Sequence, residues 1–136
     1  MSQQKRYSLL PYGVNLFKVK AVIGGTRKGF SGRVTLLVDT GSSFTILPVQ
    51  VLQQLGYNLS QPSRRRSIIT GQGRTPPLPV VPVSWFNCAG QLIENFEVVA
   101  FDIPAGLQVN GLLGMDFLLS CRAVISLAQA EIYFQN

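Results

Sequence analysis

One stretch restricts the fold of this chain more than any other: Leu36-Leu37-Val38-Asp39-Thr40-Gly41-Ser42-Ser43. The apolar run reads as a buried strand and Thr-Gly-Ser-Ser is turn chemistry, so one carboxylate is delivered to a strand end facing a cavity. Gly41 lets the backbone pack tightly and aim N–H groups at the carboxylate, while Thr40 and Ser42 add side-chain donors that favour its ionised form. An Asp in an ordinary strand-to-turn junction would carry the same three letters, Asp-Thr-Gly, so the context has to decide between the two.

Composition removes the common alternatives. The sequence contains no histidine, which excludes Ser-His-Asp triads, Cys-His pairs and most catalytic zinc sites together. Acid/base chemistry must then come from Asp39, Glu94, Glu97, Asp102, Asp116 and Glu131. The length of 136 residues suits one domain with one core. Hydrophobic residues make up 46% and charged residues 13%, a shortage of polar surface that burial in an oligomer would relieve. The formal charge of +6 invites a nucleic-acid reading, but apart from Arg64-Arg65-Arg66 the bases are scattered and no aromatics alternate with them. No nucleic-acid partner is therefore expected. Neither a signal peptide nor a run of membrane-spanning length is recognised, so no membrane association is expected. Cys88 and Cys121 read as small buried hydrophobes in a reducing compartment, with the cytoplasm as the default location.

Taken in order, residues 1–13 read as a flexible or loosely docked arm and residues 14–136 as the domain. Residues 14–23 alternate imperfectly, which predicts a strand with a slip or bulge near Phe17. Residues 24–29 form a hairpin connection, and the returning strand, residues 30–38, runs into Asp39. Pro48 opens a short amphipathic helix over residues 48–55, ended by Gly56, with Val51, Leu52 and Leu55 as its buried face. Residues 57–66 read as polar loop, and Arg64-Arg65-Arg66 as a solvated basic turn. Residues 67–70 run into a glycine-flanked hairpin tip, Gly71-Gln72-Gly73-Arg74, the composition of a moving loop. Pro76, Pro77, Pro79 and Pro82 predict an edge strand or an extended arm. Strands follow at residues 80–86 and 92–101, then an apolar pair flanked by glycines (Gly111 to Gly114), then Asp116 as the cap of a short helix, and two closing strands at residues 123–127 and 131–134. Short β segments at this spacing predict a sandwich or barrel.

With these pieces in order, the chain resembles the retropepsin-like aspartic proteases, the single-lobe, homodimeric branch of the pepsin clan. The match rests on the Leu-Leu-Val-Asp-Thr-Gly-Ser-Ser loop at 36–43, Phe-Thr-x-Leu after it, the helix at 48–55, the glycine-containing flap at about 70–75 and Leu-Leu-Gly at 112–114. It departs from the family in lacking a flap tyrosine of the pepsin kind, and in carrying Ser42 where viral members often have Ala.

The resemblance implies an all-β, closed acid-protease barrel with one or two short helices. It implies no cofactor, a peptide or protein substrate, and a homodimer, because two carboxylates must share a proton around one water and this chain has one Asp in an Asp-Thr-Gly loop. Asp39 is the catalytic residue so implied. Thr40 would hydrogen-bond across the dimer, Gly41 would supply backbone donors, and Ser42 would donate to the outer oxygen of the carboxylate. Thr70, Gly71, Gln72 and Gly73 would form the flap over an extended peptide, and Leu112, Leu113 and Gly114 would pack beneath the active-site loop. A dimeric peptide-binding barrel with weak or no catalysis is the alternative the residues leave open.

Overall fold

A computed structural model describes residues 4–70, 73–104 and 108–136. The strands are β1 (Tyr7–Ser8), β2 (Leu10–Tyr12), β3 (Leu16–Gly24), β4 (Ser31–Val38) and β5 (Ile46–Leu47), followed by helix α1 (Val49–Gln54). Then come β6 (Arg65–Arg66), β7 (Ile69–Thr70), β8 (Gly73–Arg74), β9 (Leu78–Cys88), β10 (Gln91–Ala100), β11 (Gly111–Leu113), α2 (Met115–Ser120), β12 (Ala123–Ser126) and β13 (Glu131–Phe134). The main sheet runs β2-β3-β4-β11-β5-β10-β9-β6, and a further β3–β9 pairing closes six of its strands into a barrel. The expected all-β barrel with two short helices is the observed architecture. Neither helix is long and apolar enough to cross a membrane.

The placement of β11 sets up the rest. It lies between β4, with which it is parallel, and β5, with which it is antiparallel. The chain therefore leaves the sheet at the end of β4, turns through residues 39–45, and returns as β5 on the far side of β11. This approach requires a residue without a side chain. A Cβ on Gly111 would collide with the carbonyl of Ile46, and one on Gly114 would lie 2.5 Å from the Phe44 oxygen and 2.9 Å from the Thr45 nitrogen. Asn110 fixes the register by pairing twice with Thr35: its N–H donates to the Thr35 carbonyl at 2.7 Å, and its Oδ1 accepts from the Thr35 N–H at 2.7 Å.

Three expectations need correction. Residues 7–12 do not form a loose arm: β1 pairs with β13 and β2 with β3, and Leu9 between them is buried. No slip occurs at Phe17, because β3 pairs in continuous register with both neighbours. Phe17, Val19, Ala21 and Ile23 all face the core, and Leu16 is the exposed exception next to the turn at Gly13 and Asn15, both of positive φ. The prolines, finally, do not make β9 an edge strand, since it pairs along its length with β10 and at its ends with β6 and β3. Val80 N–H points toward β6 and bonds Arg64 O at 3.0 Å. Pro82, two residues on, has its nitrogen on the same side but past the end of β6, where no ladder donor is required.

The barrel interior holds one large apolar cluster, in which Phe117 of α2 meets Phe86 and Phe134 edge-on at centroid distances of 5.5 and 6.1 Å. These T-shaped contacts seat α2 against the barrel, and truncating a buried phenylalanine of this kind costs about 3–5 kcal/mol. A smaller cluster of Ile46, Ile68, Val99 and Leu112 lies beside it, under the strand that leads to β7.

Candidate active site

The turn that leaves β4 is tied down on both sides. Asp39 N–H donates to the Leu113 carbonyl at 3.0 Å, and Met115 N–H donates to the Ser42 carbonyl at 2.8 Å, so Leu113 to Met115 grip the loop from beneath. Leu112, Leu113 and Gly114 are all buried there. Ser42 N–H closes the turn on the Asp39 carbonyl at 3.1 Å.

The carboxylate of Asp39 is half-buried and accepts a bond from the Gly41 N–H at 2.9 Å. Gly41 has little room for anything larger, as a Cβ there would stand 3.2 Å from Asp39 Oδ1. Thr40 is exposed at the tip, and among the described residues its hydroxyl makes no hydrogen bond. Ser42 differs from expectation. Its hydroxyl donates to the Phe44 carbonyl at 2.7 Å rather than to Asp39, and the residue is fully buried. The hydroxyl of this fully buried serine takes the partly buried carbonyl next to it and leaves the half-exposed carboxylate to the Gly41 N–H.

Asp116 is expected to cap α2; Gly114 occupies the cap position instead, and Asp116, in the first turn, accepts the Phe117 N–H at 2.7 Å. The same carboxylate reaches across to Thr45, accepting its N–H at 3.0 Å and its hydroxyl at 2.7 Å. The Thr45 oxygen accepts in turn from the Gly114 N–H at 3.1 Å. Burial raises the Asp116 pKa above its ordinary value of 3.8, while the bonds from Thr45 oppose that rise. This Asp116–Thr45–Gly114 link is what sequence reasoning missed. The signal available was Thr45 within Phe-Thr-x-Leu together with an acid two residues after Gly114.

The base of the segment expected to form a flap joins the same loop. Ser43 N–H donates to the Ile69 carbonyl at 3.1 Å, and Ile69 N–H donates to the Ser43 hydroxyl at 3.2 Å. β7 and β8 pair as a two-stranded ribbon, with Thr70 opposite Gly73. Gly71 and Gln72, assigned to the flap tip, lie outside the described residues. Between the ribbon and the loop opens a cleft of about 490 Å³ lined by Thr40, Gly41, Ser43, Phe44, Ile69, Met115, Asp116 and Leu119.

The other acids and thiols have separate employment. Asp102 accepts from the Val49 N–H at 3.0 Å, satisfying the start of α1, and Glu97 pairs with Arg64 at 2.7 Å on the surface. Burial, with Cys121 nearby, pushes the Cys88 thiol up to about 12, which leaves it inert as a nucleophile.

A family model described as aspartyl protease matches residues 19–117. No curated protein matches the sequence. Among solved structures, the chain is similar to a retropepsin-like aspartic protease from Rickettsia conorii, with 16% identity and a TM-score of 0.62, over 98% of this chain and 97% of that one. At that identity the likeness establishes the fold.

Proposed function

The chain belongs to the aspartyl protease family, and on that premise we propose that it is an endopeptidase whose Asp39 forms a catalytic dyad with Asp39 of a second copy. The observation that carries the reading is the Asp39 loop: a half-buried carboxylate, held by Gly41 N–H on a turn braced by β11, with Thr40 exposed beside it. A two-fold axis through that tip makes an isologous interface in which each loop meets its own copy. Two carboxylates that close cannot both ionise, so one stays protonated while the other takes a proton from the attacking water. The protonated partner hydrogen-bonds the scissile carbonyl as the tetrahedral intermediate forms. The proton taken from water is then delivered to the leaving amine, and the dyad returns to its starting state. In this reading Thr40 bonds across the dimer, and Thr70 to Gly73 close over an extended peptide and exclude water.

Asp39→Asn is expected to abolish cleavage of an unfolded protein substrate while leaving the circular dichroism spectrum and sedimentation unchanged. Specific activity of the unmodified protein should fall on dilution as dimers dissociate. Cleavage by the Asp39→Asn protein, or full activity from a sedimenting monomer, refutes the dyad.

A further inference from the structure

We propose that Arg66 makes the cleft beside the Asp39 loop selective for peptides carrying an Asp or Glu side chain there, an inference that rests on the protease reading and narrows its substrate class.

Arg66 is not a solvated member of a basic turn. It is half-buried in β6, whereas Arg64 and Arg65 are exposed, and its guanidinium lies over the Phe44 ring with Cζ 4.0 Å from the centroid. Phe44 is itself a wall of the cleft. Stacking occupies the face of a guanidinium and leaves its N–H edge available, the geometry that receives a carboxylate with two parallel bonds. Arg64 has a carboxylate partner in Glu97, but among the described residues Arg66 has none.

A second cation reinforces the first. Arg74 sits directly opposite Ile69 in the β7–β8 ribbon. Opposed residues of an antiparallel pair project from the same face, and Ile69 lines the cleft, so Arg74 belongs to the cleft side as well. The one acid lining the cleft, Asp116, has its oxygens engaged by Thr45, and its burial favours the neutral form. An apolar cleft with one cation stacked on its Phe44 wall, a second across the ribbon from Ile69, and, among the described residues, a single lining acid that already accepts from Thr45 and the Phe117 N–H fits a short side chain ending in a carboxylate. The net charge of +6 adds a long-range attraction for the same ligands.

The test uses the full chain and pairs of peptides differing only by Glu against Gln, the substituted position being moved across four residues on each side of the cleaved bond. At one position the wild type should cleave the Glu peptide with kcat/KM about five-fold higher, the scale of a partly exposed charge pair, and salt should compress the ratio. Arg66→Gln and Arg66→Met, the latter keeping an apolar stem on Phe44, should both remove most of the preference, Arg74 accounting for what is left, while Arg66→Lys keeps more of it. The same peptides are titrated by fluorescence anisotropy onto the Asp39→Asn protein, where binding should show the same preference. Cleavage without a Glu preference, or a preference left undiminished by both Arg66→Gln and Arg66→Met, overturns the assignment to Arg66 and leaves the protease reading standing. Glu-selective binding without any cleavage by the wild type supports Arg66 and overturns the protease reading.

Discussion

Thr45→Val tests whether the Asp116–Thr45–Gly114 link holds the Asp39 loop. Valine has nearly the same shape as threonine, so packing around this fully buried residue is preserved and only the hydroxyl is lost. Two bonds go with it, one to Asp116 Oδ1 at 2.7 Å and one from Gly114 N–H at 3.1 Å. The orphaned Gly114 N–H is buried and costs about 1–3 kcal/mol, and a bond to a carboxylate contributes about 1.5–3 kcal/mol. Since the carboxylate keeps its bond from Thr45 N–H, the two do not add in full, and a loss of about 3 kcal/mol is expected. For a domain of this size that is a fall in melting temperature of about 10 °C. A cycle with Asp116→Asn, read by urea unfolding, should return a coupling of about 1.5–3 kcal/mol, and additive losses would refute the link. The pH dependence supplies an independent sign. The Asp116 pKa is raised on folding, so its contribution is fully present below the ordinary value of 3.8 and is lost as pH rises through the higher folded value. The stability of the wild type relative to Asp116→Asn should therefore decline as pH rises from 3.8. A relative stability that climbs with pH would mean that the bonds from Thr45 outweigh burial.

Ser42→Ala should cost about 1–2 kcal/mol, by leaving the Phe44 carbonyl without its donor, and should leave the pH–rate profile in place, because the hydroxyl does not touch Asp39; a profile displaced by a full unit would contradict the observed geometry. Gly111→Ala drives a methyl group into the Ile46 carbonyl and should cost about 2–3 kcal/mol by forcing β11 and β5 apart, with kcat/KM falling alongside; a neutral effect in thermal unfolding would show that the two strands part easily.

Where one face of a strand is buried and the other solvated, the sequence is directly legible. Val19, Ala21 and Ile23, then Val34 and Leu36, mark the inner faces of β3 and β4 because side chains alternate with a period of two. Legibility fails where the partner lies far along the chain. Tyr7 pairs with Ile132, at the opposite end of the sequence, and nothing in residues 7–12 announces that edge. The prolines of β9 mislead for a related reason: their rule concerns one side of a strand, and only the assembled sheet shows which side needs donors. Within the site, Asp39 and Gly41 follow from a local motif, whereas Ser42 had two acceptors in reach and its choice depended on burial. For Asp116 the local part was legible, since it accepts the Phe117 N–H at the start of α2, but its tie to Thr45 was not, because Thr45 approaches from across the loop.

The placement of the other acids bears on the proposal that a second copy completes the site. Each other side-chain carboxylate among the described residues has a place that keeps it out of the proposed dyad. Asp102 bonds the first N–H of α1, Asp116 holds Thr45, and Glu97 faces Arg64. Glu94 stands opposite Trp85 on the β9–β10 ribbon, and Glu131 opposite Ser8 and Ser126 in the terminal sheet. Asp39 alone lies on a loop whose inner side is bonded to β11 and whose outer side, at Thr40 and Gly41, is exposed. In the proposed dyad Asp39 must share a proton, it has no carboxylate partner among the described residues, and the exposed Thr40 tip is the face through which a symmetric copy would bring one.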